Sequence, residues 1–367
     1  QAMTVTGLGG GSVDFSSVSK SLSSTAQIGA NLALSAGSKL GPVALVLTGD
    51  AQVAMSAEQA SGRAISGTGS LRLTSLDTAV VNLSAVAVPA LADIARSTDV
   101  VAASVLGDRL VFAVAQDAVL SLSAAQATTG TGSGSAGRPI TGAGSVVVTG
   151  LGATRAMLNG ITVTGSVSVQ ASADAVLDSA TDLGAASLNV ASGATLTASP
   201  AQTLVGTGSG AVARDMAGGG AVRIATAPGT ASAPAAVLGA NLSASELTLR
   251  ISTHQDLSAI QLGASPIVVD GGASVTLTAA QASGRKISGA GSVFISALGS
   301  APQADLSGVT VANARATISA STIFKGALGN TELVINPAVA LTVNAPIISG
   351  VKVGGAGRLI VVTGEIK

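Results

Sequence analysis

The stretch LTAAQASGRKISGAGSVFIS at 277–296 repeats, at more than half its positions and with every glycine in step, the stretch MSAEQASGRAISGTGSLRLT at 55–74. Internal self-similarity constrains a chain more than any single residue does, because each copy must form the same unit and bury its apolar face against its neighbours. The second glycine of SGAGS serves as a marker. It recurs at Gly69, Gly144, Gly220, Gly291 and Gly357, a period of about 70 residues. The copies are read as 3–74, 75–149, 150–225, 226–296 and 297–364 within a single array over 1–367. Copies two and three share an inserted GTGSG before the marker, which reads as an expanded turn.

Within each copy, apolar and Ser/Thr residues alternate with period two, as in ASVTLTA and VTVTGSVSV, and Gly, Asn or Asp punctuates every five to ten residues. That pattern predicts strand, turn, strand throughout. Asn/Asp-Leu-Ser elements mark the looser halves of the copies, at 82–84, 241–243, 256–258 and 305–307. Only 89–106 is compatible with a short helix.

Two all-β architectures suit this period. One is a parallel β-solenoid rod, with roughly three coils of 20–25 residues to each copy, neighbouring coils about 4.8 Å apart. The other is a string of small β-sandwiches. Composition favours the solenoid. Hydrophobic residues make up 47% of the chain but aromatics only 1%, and cysteine is absent. A freestanding sandwich of this size needs large rings or disulfides, whereas a narrow bore can be filled by stacked Val, Ile, Leu and Ala.

The same composition bears on partners. Lys+Arg and Asp+Glu are 18 each, so no basic excess neutralises phosphates, and rings to stack on bases are scarce; nucleic acid is not expected. Mean hydropathy is +0.61, yet the most apolar run, 78–95, is broken by Asn82, Pro89 and Asp93, so no membrane span is expected. The chain opens without a signal-peptide pattern, and Gln1 reads as a mature or trimmed end.

Two quartets of polar residues recur with the repeat. Gln59, Gln126, Gln202 and Gln281 precede Arg63, Arg138, Arg214 and Arg285, and Val351 stands at the arginine position of the fifth copy. The expectation is that the glutamines bond the backbone of neighbouring coils and that the arginines cap turn carbonyls or cover apolar surface; a ladder that binds ligands or subunits is the functional alternative. The chemistry of an enzyme finds little support. His254 is the only histidine, no Gly-x-Ser-x-Gly elbow surrounds a serine, and no phosphate loop completes the glycine clusters. No cofactor is expected. Calcium is weighed at Asp174, Asp178 and Asp182, whereas GGAGRL at 354–359 has Leu359 where the toxin-type calcium repeat needs Asp.

The LTAAQASGRKISGAGSV element resembles the degenerate β-strand-repeat modules of very large secreted surface proteins of Gram-negative bacteria, including adhesins and surface-layer or filament proteins. The resemblance covers most of the chain. It implies secretion to the cell surface, a β-rich rod and a structural or adhesive role, with cell-envelope or surface glycans as further partners. The expected function is therefore self-assembly, head to tail, into a filament, sheath or surface layer. The ends expected to meet are Met3 and Val5 on one side and Leu359, Val361 and Ile366 on the other, since QAMTVTG and RLIVVTGEIK are strand-forming and neither reads as a polar cap. A spacer or stalk segment of a giant adhesin is the alternative. A polysaccharide-active β-helix enzyme is the third, set against charge too sparse for a groove of paired carboxylates.

Overall fold

The computed structural model describes residues 3–5, 13–16, 24–152, 155–206, 212–224, 248–259, 262 and 266–363. These residues are nearly all β, with parallel sheets stacked as a β-solenoid of about 15 turns. The chain divides into two compact units, 1–170 with 180–186 and 171–179 with 187–367.

Alternation builds each coil. In Gln52–Ser56, Val53 and Met55 are buried while Gln52 points to solvent, so one face of the strand lines the bore. Stacking in register then places like on like. Val53 sits under Leu71, Leu71 under Ala90 and Ala90 under Leu110, a continuous column of buried aliphatic groups. Each buried Val or Leu contributes about 1.5–3 kcal/mol. The bore is too narrow for many rings, and of the four phenylalanines Phe112 and Phe324 are fully buried within it. The stretch compatible with a helix is instead sheet: Ala90–Ile94 and Thr98–Asp99 are strands, because Ala90, Ala92 and Ile94 alternate inward and Pro89 sets the entry.

The repeat and the coil are not commensurate. Three stacking steps carry Val53 to Leu110, but the residue equivalent to Val53 in the next copy is Leu120, on the following sheet. In the second unit, Leu196 passes through Val222 and Leu249 to Ile267, and the next equivalent is Val275. Leu277 passes through Ile295 and Ala316 to Leu333 before Val343 takes up the motif. One copy thus spans three coils and one further side of the solenoid, rather than three coils. Within each unit, successive copies present their motif on successive sides.

The marker glycines sit where one side turns into the next. Gly67 has φ +112°, and a Cβ there would collide with the Leu47 carbonyl; a Cβ on Gly69 would collide with the Ala51 carbonyl. The same pair of obstacles recurs at Gly142 and Gly144, Gly218 and Gly220, Gly289 and Gly291, and Gly355 and Gly357. The corner brings main chain onto main chain, which leaves no room for any side chain.

Candidate functional site

The recurrent glutamines and arginines meet in one structure, a polar pin at the end of the longer strand of the first four motifs. It begins with a capping box. The Oγ of Ser56 accepts from the Gln59 N–H at 3.1 Å, and the Gln59 Oε1 accepts from the Ser56 N–H at 3.0 Å, closing a single helical turn Ala57–Ala60. The Gln59 amide then reaches the preceding coil, where Nε2 donates to the carbonyls of Ser35 at 2.8 Å and Ser38 at 3.2 Å. Ser123 with Gln126, Ser199 with Gln202 and Thr278 with Gln281 repeat the box. Their Nε2 groups reach Val101 and Ser104, Asp178, and Leu257.

Each arginine completes the pin from the other side. Arg63 Nε donates to the Gln59 carbonyl at 3.0 Å, and its Nη atoms reach the carbonyls of Gly41 and Val43 in the coil before. Arg138, Arg214 and Arg285 donate through Nε to the carbonyls of Gln126, Gln202 and Gln281 at 2.6, 2.8 and 2.8 Å. The Nη atoms of Arg138 and Arg214 reach the Leu110 and Leu204 carbonyls.

The insertion in copies two and three changes the environment of the pin and preserves its arginine Nε bond. It forms a small antiparallel hairpin, Thr128–Thr129 against Ala136–Gly137 in one copy and Leu204–Val205 against Val212–Ala213 in the other. Arg138 and Arg214 are then only 2% and 4% exposed, whereas Arg63 and Arg285 are half-buried. Burial pushes the Arg138 guanidinium down to about 10, with nearby Asp108 opposing, and lowers Arg63 and Arg285 as well. Beside the Arg138 pin opens a groove of about 410 Å³ lined by Ser84, Val105, Asp108, Gln126 and Thr128.

The fifth copy has no such pin. Asn344, Ile347 and Val351 stand at the box serine, the glutamine and the arginine, and the Asn344 Oδ1 is buried without a hydrogen-bond partner. The capping Ser or Thr was missing from the sequence reading of the site; its signal was the S/T-x-x-Q spacing.

No protein-family model, characterised protein or solved structure matches the chain.

The other candidates fall apart from the pins. Asp174 Oδ1 accepts from the Thr195 N–H, Asp182 Oδ1 accepts from the Gly184 N–H, and the Asp178 carbonyl receives Gln202. Among the described residues, no group of three or more His, Asp or Glu is placed to hold a metal ion. His254 Nδ1 lies 2.8 Å from Ser274 Oγ on the exposed surface. The Asn/Asp-Leu-Ser elements are side-chain-capped turns. Asn82, Asp256 and Asp305 each accept, through Oδ1, from the N–H and Oγ of the serine two residues on. Those bonds hold the Asp305 carboxyl below its ordinary range. The element at 241–243 lies outside the described residues.

Of the residues expected at the assembly ends, Met3–Val5 is a strand paired with Ser24–Ile28. Leu359 and Val361 lie in Arg358–Val362, stacked on Leu341 and Val343. Ile366 lies outside the described residues. No helix among the described residues is long and apolar enough to cross a membrane.

Proposed function

We propose that the chain is a structural solenoid of the bacterial cell surface, extended by coil-on-coil contact with a second copy of itself. One observation carries the reading. Leu341 and Val343 are fully buried, yet Leu359 and Val361, one coil further in the same inward register, are half-buried and 46% exposed. In the same coil the polar pin has given way to Ile347 and Val351. Among the described residues, Arg358–Val362 is the outer strand of its sheet, and its apolar row is a surface suited to another coil.

Electron microscopy and sedimentation of the chain, beside Leu359→Glu with Val361→Lys, test the reading. The expected result is fibres or ordered arrays from the natural sequence and short single particles from the variant. Polymerisation of the variant at the natural concentration would overturn it. A second reading has the same face covered by further coils of one longer polypeptide, as in the stalk of an adhesin. It is favoured by the way each copy takes up the register where the last one ends, and it predicts single particles from both proteins.

A further inference from the structure

Outside the pins, one surface groups functional side chains that the fold does not use. A groove of about 470 Å³ runs across the outer face of the sheet containing Ser292–Ser296, Asn313–Ile318 and Glu332–Ile335. Its size is in the ordinary range of ligand sites, about 300–1,000 Å³. Phe294, Asn313, Arg315, Asn330, Glu332 and Lys352 line it.

Phe294 is the informative residue. It stands in register with Thr276 on one side and Arg315 on the other, and the ring is 43% exposed in a chain with four phenylalanines. The equivalent outward position is held by Arg72, Val147, Arg223 and Ile360 in the other copies, so the repeat does not demand an aromatic there. Next to the ring, Arg315 Nη2 makes one long contact, 3.4 Å, with Glu332 Oε2, and both side chains are well exposed. A guanidinium has five N–H donors, so this one contact leaves donors to spare on a side chain that lines the groove. Arg315 and Lys352 against Glu332 give the groove a net positive charge, and Asn313 and Asn330 add amide donors and acceptors.

We propose that this groove binds an acidic oligosaccharide, with a sugar ring on Phe294 and its carboxylate on Arg315, the carboxylate of a further sugar on Lys352 beyond Glu332, and hydroxyls on Asn313 and Asn330. An apolar ring face suits the C–H face of a pyranose, amides suit vicinal hydroxyls, and a guanidinium fork suits a carboxylate. Rungs about 4.8 Å apart set Phe294, Arg315 and Glu332 side by side along the groove. Arg315 stands two coils and Phe294 three coils inward of the proposed stacking face, whereas Lys352 stands in the end coil itself.

Titration calorimetry of the full chain with a short oligogalacturonate, and with its neutral methyl ester, tests the proposal. Binding of the acid is expected, weakening as salt rises, with the ester at least about tenfold weaker, a difference of about 1.4 kcal/mol. Phe294→Ala and Arg315→Gln should each weaken binding of the acid about tenfold or more. Arg72→Gln, at the equivalent position of the first copy, should leave it unchanged. All three positions are on the outer surface, and circular dichroism confirms that the variants fold; Lys352→Gln, fully outside the core, provides a further variant with the same expected direction. Absence of binding, equal affinity for the ester, full affinity in Phe294→Ala or Arg315→Gln, or an equal loss in Arg72→Gln would overturn the proposal.

Discussion

Arg138 Nε donates to the main-chain carbonyl of Gln126 across 12 residues, and Arg63 makes the same bond to Gln59 across 4. The insertion between them has been absorbed as a hairpin laid over the guanidinium, without loss of the bond that pins the coil. A conserved contact across such different loops identifies the pin as a unit of the architecture, and its carbonyl acceptors explain why an arginine is tolerated at 2% exposure.

Replacing Arg138 with Ala leaves the Gln126 and Leu110 carbonyls unpaired under the hairpin, at a cost of about 1–3 kcal/mol each. Amide hydrogen exchange at Ile140–Gly142 should accelerate strongly. Arg285→Ala, where water can reach the vacated carbonyls, should have the smaller effect. Arg138→Lys should not rescue the first variant, because a single ammonium lacks the fork that spans both carbonyls.

The corner glycines separate two kinds of cost. Gly62 has φ +67° with open space around a Cβ, so Gly62→Ala should cost about 1–2 kcal/mol for the left-handed conformation alone. Gly67→Ala adds a collision with the Leu47 carbonyl, so it should lower the thermal midpoint further than Gly62→Ala. Equal midpoints for the two variants would contradict the steric account.

Installing a pin in the fifth copy is a gain-of-structure test. Asn344→Ser with Ile347→Gln and Val351→Arg restores the capping box and the guanidinium, each box worth about 1 kcal/mol where it forms. Slower amide exchange over Ala340–Val362 is expected. If the end face serves assembly, the same variant should also polymerise less, since it replaces apolar surface with charge.

Acid should weaken the turn at Asp305. Its carboxyl pKa is lowered by the bonds from Ser307, so the folded state holds fewer protons there than the unfolded state does. The resulting stability is present above the ordinary carboxylate range and is lost as pH falls through the lowered folded value. Asp305→Asn keeps the turn, as Asn82 does in the second copy, and removes the titration. Thermal midpoints of the two proteins measured from neutral to strongly acid pH should therefore diverge least at the acid end.

Several of these features were legible in single residues. The alternation around Val53 and Met55 announced a half-buried strand, and the spacing of Gly67 and Gly69 announced a turn, because both follow from sterics within a few residues. The recurrence of Gln59 and Arg63 announced a backbone-bonding role, since a polar pair repeated with the period has the coil itself as its constant neighbour. The helical alternative for 89–106 failed because Ala90, Ala92 and Ile94 found an existing column to stack on, and tertiary context outweighs the good helix propensity of alanine and leucine.

Sequence by itself determined that this chain is a five-fold β repeat with small inward residues and main-chain-tight corners, because those are local requirements written into each copy. Tertiary structure alone decided that one copy advances three coils and one side, so that equivalent residues such as Val53 and Leu120 fall on successive sheets. It also decided which carbonyls each pin reaches, and that Phe294 meets Arg315 on an open face. The physical reason is that the sum of loop lengths and corner angles sets stacking register, and that sum is fixed only when the coils close on a common core.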